Sequence, residues 1–365
     1  MAPALPATHY NLGCVWDDLG ALPLAIAHFE MAASLKPSFL EAFDCLAGAL
    51  LKRGSRKDLE HARVACEQAL RLARNDSAAH WNLGSALRRL GKADEAIARA
   101  WSAILHECKS PGFTPLLVDV KTLGGNDLRE AKVPQGSAVA VVCVKWGTKY
   151  DAVYVNNLRA AVSRHIGNLS HEFFCFTEDS SGVDSTTRPL PDNEWTGWWH
   201  KASVLFSGHL ERHIPERFER VLYLDLDTVI VGPIQDIAEY AGPFATLYTS
   251  DFGKTEDREG GYNSSMMAFP RGCEALQAAI FGQLDALGVD HVKRFVHRLD
   301  FWLEMTVRGA ASLQSLFPGR LLDFKTHVRE ADSLPTSASV VNFPLRPKPH
   351  EVADAAWMQA HWRPA

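Results

Sequence analysis

The sequence predicts two parts of different fold class, an α-helical repeat array followed by an α/β domain. An eleven-residue segment at Tyr10–Gly20 recurs at Trp81–Gly91 with its Asn, Leu and Gly residues in the same places. Internal repeats of this kind are typical of helical arrays. From Ser137 onward, short apolar runs alternate with helical patterns instead. Strands that alternate with helices are typical of a mostly parallel sheet covered on both faces.

The first third of the chain contains three copies of the repeat, the weakest at Asp44–Gly54. Aligning Gly13, Ala47 and Gly84 gives spacings of 34 and 37 residues, so we expect an insertion of three residues after Gly54, at "SRKDLE". Small residues recur where two helices must approach closely: Gly13 with Ala25, Ala47 with Ala62, and Gly84 with Ala96. The sequence therefore predicts helix–turn–helix repeats over residues 1–108.

This pattern resembles the tetratricopeptide repeat (TPR), a helix–turn–helix unit that stacks into a superhelix. The resemblance implies a concave face that binds a peptide or a protein partner. The first repeat leaves little room for a polar cap at its N-terminal end. A homo-oligomer that pairs apolar residues of this face is therefore an open alternative.

A linker and an α/β domain are predicted after the repeats. The turn signals "KSPGF", "LGGND" and "VPQG" indicate a connector over residues 109–136, which leaves residues 137–365 as the second domain. Its predicted strands are "AVAVVCV", "HEFFCFT", "ERVLYLDLDTVIV", "FATLYTS" and "SSMMAFP". The segment "DAVYVNNLRAAVSRHI" between the first two has a helical pattern.

Composition and charge exclude several function classes. Apolar residues make up 47% and charged residues 22% of the chain, and the net charge is −5, so we expect a soluble protein that does not bind nucleic acid. The seven cysteines form no CxxC pair, and Cys143 and Cys175 lie in apolar runs, which favours buried thiols over disulfides or a zinc site. Without a signal peptide or an apolar run of about 20 residues, we expect a cytoplasmic protein, with peripheral membrane contact left open.

Two carboxylates interrupt the apolar segment "RVLYLDLDTVIVGPI" at Arg220–Ile234. Asp225 and Asp227 point to the same side if the segment is an extended strand. They follow "VLYL", and open α/β sheets usually bind ligands where strands end. Like charges at that separation raise each other's pKa unless a cation lies between them. We therefore predict that Asp225 and Asp227 bind Mn²⁺ or Mg²⁺ and leave coordination positions free for phosphate oxygens.

The neighbourhood of this motif resembles bacterial glycosyltransferases of the GT-A fold that are related to glycosyltransferase family 8. The matching segments, in chain order, are "VVCVKWGTKYDAVYVNNLRAAV", "HEFFCFTED", "WTGWWHKASVLF", "LYLDLDTVIVGPI", "YNSSMMAF", "PLRPKPHEV" and "WMQAHWRP". Together they span about residues 137–364. The resemblance implies a GT-A fold and the transfer of a hexose-type sugar from a nucleoside diphosphate, expected to be UDP, to an unknown acceptor.

The resemblance also implies roles for further residues. Asp227 is the expected direct metal ligand, and Asp225 contacts the metal or the ribose and a metal-bound water. Asp300, and with it Asp251, is expected to contact donor or acceptor, or else to be a helix cap or a salt-bridge partner. The residues expected to bind the nucleotide-sugar are Val144, Lys145, Trp146, Tyr150, Lys201, Asn263 and Ser264. Among them, Trp146 or Tyr150 would stack on the base unless they are core residues.

The sequence departs from the family at three places. Pro344 and Leu345 stand where related enzymes have a metal-binding histidine and a glycine, and Ser265 replaces a glycine of the YNSG-type loop. Proline cannot bind a metal, so His350 or His327 would have to replace the missing ligand. These departures leave altered metal coordination, an altered donor and reduced activity open.

Two function hypotheses follow. In the first, the protein is a metal-dependent glycosyltransferase whose repeats recruit an acceptor. In the second, it is a catalytically degenerate nucleotide-binding scaffold that serves as an adaptor beside the repeats. Retention of both aspartates and of "VKWGTKY" favours the first, whereas Pro344 and Ser265 favour the second.

Overall fold

The computed structural model describes residues 5–110, 112–123, 138–250, 261–331 and 333–364. The chain divides into two compact units. Unit 1 comprises Met1–Pro115 and Leu287–Phe295, and unit 2 comprises Leu116–Ala286 and Val296–Ala365. The sequence analysis placed all of 287–295 in the second domain because nothing in its pattern distinguishes it from neighbouring helices. In the structure, the ring of Phe295 instead packs on Trp81, with the two ring centroids 5.6 Å apart.

Unit 1 consists of helix pairs, as the repeats predict. Its helices are α1 (Pro6–Asp18), α2 (Leu22–Leu35), α3 (Leu40–Arg53), α4 (Arg56–Leu72), α5 (Ser77–Arg89) and α6 (Ala93–Glu107). In each pair the second helix begins two residues after a glycine with positive φ, namely Gly20, Gly54 or Gly91. These glycines adopt a left-handed conformation that other residues rarely take, which ends the first helix.

The three extra residues of the second repeat lengthen a helix. The turn between α3 and α4 is one residue shorter than the turns of the other two pairs, but α4 has 17 residues, whereas α2 has 14 and α6 has 15. Ser55 caps α4 in a capping box with Asp58, whose carboxylate also accepts hydrogen bonds from Arg53. The insertion predicted at "SRKDLE" is therefore absorbed by α4, because a strong cap starts the helix at once.

Close helix contacts explain the small residues of the repeat. A Cβ atom added at Gly13 would lie 2.6 Å from the ring of Phe29, and one added at Gly84 would lie 3.1 Å from the carbonyl oxygen of Ala96. Between repeats, the guanidinium of Arg89 donates to the carbonyls of Leu51 at 2.7 Å and Gly54 at 3.2 Å. One repeat thus satisfies the free carbonyls at the end of α3 in the preceding repeat.

Unit 2 contains a mixed sheet. The strands, in chain order, are β1 (Val118–Asp119), β2 (Ala138–Lys145), β3 (His171–Thr177), β4 (Thr186–Arg188), β5 (Phe218–Leu224), β6 (Thr228–Ile230), β7 (Ala245–Tyr248), β8 (Tyr262–Pro270), β9 (Val307–Arg308), β10 (Ala311–Ser312), β11 (Leu321–Asp323) and β12 (Val340–Asn342). Within the described residues, the main sheet has the order β10-β7-β8-β5-β2-β3-β4, and a second sheet has the order β11-β12-β6. β2, β3, β4 and β5 are parallel, and β8 runs antiparallel to β5 and β7.

Helices follow the strands of unit 2. They are α7 (Ala152–His165), α8 (Trp199–Phe206), α9 (His209–His213), α10 (Gln235–Ala238), α11 (Glu274–Gln277), α12 (Gln283–Leu287), α14 (Leu299–Thr306), α15 (Leu313–Leu316) and α16 (Ala356–His361), while α13 (Val289–Lys293) belongs to unit 1. Short 3₁₀ turns lie at Val120–Thr122 and Pro349–Val352, and π-helical turns at Ala278–Gly282 and Phe324–Val328. The apolar side of α7 belongs to the same buried cluster as one face of β2 and β5, and every residue of β2 is buried.

The cysteines and the helix lengths agree with two expectations. All seven cysteines are free thiols, and Cys143 and Cys175 lie side by side in the register of β2 and β3. Burial raises the pKa of the Cys143 thiol. Among the described residues, none of the helices combines the length and the apolar character that crossing a bilayer requires.

Candidate active site

The acidic pair lies in a turn that joins the main sheet of unit 2 to its β11-β12-β6 sheet. β5 ends at Leu224, and the Thr228 amide donates to the carbonyl of Asp225 at 3.1 Å, which closes the turn before β6. The sequence analysis treated the segment as one interrupted strand, and that interpretation was wrong. Aspartates favour turns, and here the turn passes the chain from the main sheet to the second sheet. Asp225 and Asp227 nevertheless line the same cleft.

Asp225 is neutralised by Lys201. The Nζ atom of Lys201 lies 2.7 Å from Oδ1 and 2.8 Å from Oδ2 of Asp225, and the Tyr223 hydroxyl donates to Oδ1 at 2.6 Å. Lys201 comes from α8 and is only 1% exposed. Burial raises the pKa of Asp225, the Lys201 ammonium opposes this shift, and the charge of Asp227 adds to it. The desolvated carboxylate therefore has its counter-ion within the chain.

Asp227 is neutralised by a different lysine. The Nζ atom of Lys348 donates to Oδ2 of Asp227 at 2.6 Å and to the carbonyl of Phe343 at 2.7 Å. The Tyr150 hydroxyl donates to the same Oδ2 at 2.8 Å. Burial, together with the charge of Asp227, raises the pKa of Tyr150, which keeps the phenol protonated as a donor. Lys348 and Asp227 are both 8% exposed, so solvent screens this pair weakly.

The carboxylates line a cleft that opens to solvent. Because β2, β3 and β5 are parallel, their carboxyl ends meet at one edge of the main sheet, and ligands of open α/β sheets bind at such edges. The lining residues are Trp198, Lys201, Asp225, Asp227, Asn263, Ser264, Ser265, Arg298, Leu299, Asp300, Pro344 and Leu345. Six of the predicted site residues therefore share one cleft.

β8 and α14 contribute a polar wall next to the acidic turn. The Asp225 amide donates to the carbonyl of Ser265 at 2.8 Å, which places the start of β8 beside the turn. The Ser264 amide donates to Oδ1 of Asp300 at 2.8 Å, and the Ser265 amide to Oδ1 of Asn263 at 2.9 Å. Asn263 and Ser264 are buried. These hydrogen bonds fix the short polar side chains that the sequence analysis selected.

The other predicted residues are outside the cleft lining. Tyr150 reaches the site only through its hydroxyl on Asp227. Val144 is buried in β2, and Nζ of Lys145 lies 3.4 Å from the carbonyl of Asp179. The ring of Trp146 packs edge-on against Trp198, with centroids 6.0 Å apart. Among the described residues, Trp198 is thus the aromatic residue that lines the cleft.

The two histidines considered as replacements for the missing ligand contact other groups. His350 shares a hydrogen bond with the Tyr154 hydroxyl, and His327 accepts one from the amide of Asp323 at 3.0 Å. Neither lines the cleft, where Pro344 is present instead. In the part of the chain that the structure describes, no group of three or more His, Cys, Asp or Glu side chains could hold a metal ion. Asp251 lies outside the described residues.

The charges of the cleft do not fit a divalent cation. A cation bound between Asp225 and Asp227 would lie close to the ammonium groups that already pair with them. Two unit charges 4 Å apart repel by about 4 kcal/mol at an effective dielectric constant of 20, and a divalent ion doubles this figure to about 8 kcal/mol. The predicted Mn²⁺ or Mg²⁺ cofactor thus finds two ligands, both already paired, and no step below depends on it.

Lys348 and Arg298 are the site residues that the sequence analysis missed. "PLRPKPHEV" was searched only for a histidine, so the lysine between Pro347 and Pro349 was overlooked. Its signal was available: two aspartates without a metal ligand set require two cations, and Lys201 supplies only one. No comparable signal marked Arg298, which lies just before α14.

Comparisons with known proteins concern the helical repeats. No protein-family model matches the chain, and no curated protein matches it. Among solved structures, the chain is similar to the TPR domain of Arabidopsis OM64, with 18% identity, a TM-score of 0.27 and coverage of 29% of this chain and 85% of that one. A TPR protein of Thermus thermophilus is 24% identical, with a TM-score of 0.27 and coverage of 29% of this chain and 59% of that one. The first TPR of RPAP3, bound to an HSP90 peptide, is 19% identical, with a TM-score of 0.27 and coverage of 30% of this chain and 81% of that one.

These comparisons leave the two resemblances at different levels. The helical repeats are similar to TPR domains. The chain spans 59% of the length of the Thermus protein. In each of the three comparisons, less than a third of the residues of this chain are aligned. The glycosyltransferase resemblance of unit 2 and its GT-A fold stay predictions.

Proposed function

We propose that unit 2 is a glycosyltransferase that binds a nucleoside diphosphate sugar, expected to be a UDP-hexose, in the cleft of Asp225 and Lys201. The observation that carries the proposal is the convergence of two carboxylates, a buried lysine, an arginine and the Asn263–Ser264 pair at the carboxyl edge of parallel strands. The cations suit a diphosphate, and the short polar side chains suit sugar hydroxyls.

The proposed reaction breaks the bond between the anomeric carbon and a diphosphate oxygen and forms a bond from that carbon to an acceptor oxygen. Negative charge develops on the leaving diphosphate, and the Lys201 ammonium stabilises it from a fixed, weakly solvated position. The acceptor hydroxyl loses its proton in the same process, and we propose that Asp300, a carboxylate that lines the cleft, receives it. Retention or inversion of configuration is left unassigned.

Unit 1 is proposed to bind a peptide or protein segment. The support is its repeat architecture, since stacked helix pairs create extended concave surfaces. One similar domain, that of RPAP3, was solved with an HSP90 peptide. A partner bound there would recruit or orient the acceptor of unit 2.

Release of UDP from UDP-hexoses, measured with the full chain, tests the proposal. We expect turnover by the wild type and a loss of at least about 100-fold in Asp300→Asn, the substitution that removes a proton acceptor while keeping size. Asp192→Asn serves as the matched control, since Asp192 is exposed and outside the cleft lining. Equal activity of Asp300→Asn and Asp192→Asn would refute the assigned role, and absence of turnover on a broad donor panel would refute the transferase.

A degenerate binding scaffold is the second candidate function. The specific observation in its favour is that lysines occupy both carboxylates while Pro344 lines the cleft. Nucleotide binding without turnover on any donor would support it. The release assay combined with a binding measurement therefore separates the two candidates.

A further inference from the structure

Two buried lysine–aspartate pairs set the charge of the cleft. Lys201 contacts both carboxylate oxygens of Asp225, and Lys348 contacts Oδ2 of Asp227. Both lysines are at most 8% exposed, so each ammonium needs a partner close by and each carboxylate already has one. The negative charge that would attract a divalent cation is therefore consumed by groups of the chain itself.

The cleft also presents cationic hydrogen-bond donors, Lys201 and Arg298, to a ligand. An ammonium has three donor hydrogens, and among the described residues the hydrogen-bond partner of Lys201 other than Asp225 is the Ser264 hydroxyl at 3.5 Å, which is the limit of a hydrogen bond. The Nζ atom of Lys201 also lies 5.5 Å from the ring centroid of Trp198, which lines the cleft, as Lys201 and Arg298 do. An anion that enters this cleft therefore meets an ammonium held in place by a carboxylate and an aromatic ring.

We propose that the cleft binds the diphosphate of its ligand without a divalent cation, with Lys201 and Arg298 as the anion-binding groups. In this arrangement Asp225 and Asp227 position lysines instead of holding a metal. Lys348 keeps Asp227 paired, so that the acidic turn does not repel the phosphates. The inference rests on the proposed function, because it names how that same site holds a nucleoside diphosphate.

Isothermal titration calorimetry with UDP and inorganic pyrophosphate as probes tests the inference on the full chain. We expect UDP to bind in EDTA with an affinity within about threefold of that in Mn²⁺, and Mn²⁺ alone not to bind at up to 1 mM, roughly the weakest affinity that such a titration detects. Lys201→Met should weaken UDP binding in EDTA by at least about tenfold, as expected for the loss of one charge-assisted hydrogen bond. Lys325→Met, outside the cleft lining, is the control.

The outcomes separate this inference from the proposed function. UDP that binds in Mn²⁺ but not in EDTA would overturn metal independence and leave a nucleotide site in place. UDP and pyrophosphate that bind in neither buffer would overturn the proposed function. If Lys201→Met fails to fold, the double variant Lys201→Met with Asp225→Asn, which removes both charges of the pair, takes its place. UDP binding by the wild type in EDTA and in Mn²⁺ tests metal independence without any variant.

Discussion

Removal of the Lys348 ammonium is the perturbation whose cost can be worked out most fully from the structure. Lys348→Met keeps the length of the side chain but leaves Oδ2 of Asp227 and the carbonyl of Phe343 without their shared donor. Removing one partner of a buried ion pair typically costs about 3–5 kcal/mol of unfolding free energy, because the remaining charge stays desolvated. We expect a cost in that range, since lysine and aspartate are both 8% exposed.

A double-mutant cycle distinguishes the ion pair from simple loss of packing. Replacing both partners, Lys348→Met with Asp227→Asn, removes both charges and should cost only about 1–2 kcal/mol, because buried pairs exchanged for neutral groups are often nearly neutral. The double variant is thus expected to be about 2–3 kcal/mol more stable than Lys348→Met alone, a difference well above the error of such measurements.

Hydrogen exchange measured by mass spectrometry on peptides of β5 and β12 reports the stability of unit 2 without a contribution from unit 1. Lys325→Met is the control and should change the opening free energy by less than about 0.5 kcal/mol, as surface substitutions do. A cost below about 1 kcal/mol for Lys348→Met, or a double variant as unstable as the single one, would refute the assignment of Lys348 to Asp227.

Three further predictions concern the helical repeats. Gly13→Ala should destabilise unit 1 by about 1–3 kcal/mol in urea unfolding through overpacking. Gly48→Ala, whose added Cβ meets nothing within 4 Å, should instead stabilise it by about 1 kcal/mol. Equal effects of the two substitutions would contradict the close helix contact at Gly13. Arg89→Met should cost about 1–3 kcal/mol by leaving carbonyls of α3 unpaired, measured by hydrogen exchange of the last turn of α3 against Arg71→Met as the exposed control, and similar exchange in both would contradict this. Burial raises the pKa of Asp44 to about 7, so the folded state binds this proton more tightly than the unfolded state. Stability of unit 1 should therefore fall by on the order of 1 kcal/mol as pH rises from about 4 to 7, and Asp44→Asn should remove that part of the pH dependence in thermal melts; an unchanged profile would refute it.

The helical repeats were predictable because their pattern is local. Gly13 and Gly84 mark places where backbone and ring approach within a few ångströms, and that requirement is visible in the sequence as a repeated small residue. The fate of the insertion after Gly54 was less visible. Whether three residues form a loop or a longer helix depends on the capping box between Ser55 and Asp58. This is a contact between side chain and backbone, which the repeat pattern alone does not show.

The longer strands of unit 2, which are β2, β3, β5, β7 and β8, were predictable, whereas the acidic turn and the short strands were not. An apolar run such as "VLYLDLDTVIV" looks continuous, and nothing local shows that Thr228 begins a strand of a different sheet. That change depends on the pairing of β6 with β12, more than a hundred residues further along the chain. Asp225 and Asp227 line one cleft, as predicted, but a turn places them there and not the alternation of side chains along a strand.

The partners of the two aspartates were the largest gap in the sequence analysis. Lys201 was selected as a phosphate contact and lies against Asp225. Lys348 is 121 residues from Asp227 along the chain, and its pairing follows from how the closing segment returns to the cleft. Ion pairs between residues so far apart in the chain produce no periodic pattern in the sequence. The sequence therefore suggested a metal ion where the structure has two ammonium groups.

A thermal-shift screen of nucleotide sugars in EDTA tests most directly whether the cleft binds an activated sugar. At a ligand concentration of 100 times Kd, a ligand of the folded state adds about 2.7 kcal/mol of stability, which corresponds to a rise of about 5–10 °C in the Tm of a unit of this size. We predict that at least one nucleoside diphosphate sugar gives this rise with the wild type, and that the rise is at most about half as large with the Lys201→Met variant, whose Kd is expected to be at least about tenfold weaker. A Tm that no nucleotide sugar changes, with or without added Mn²⁺, would contradict the account.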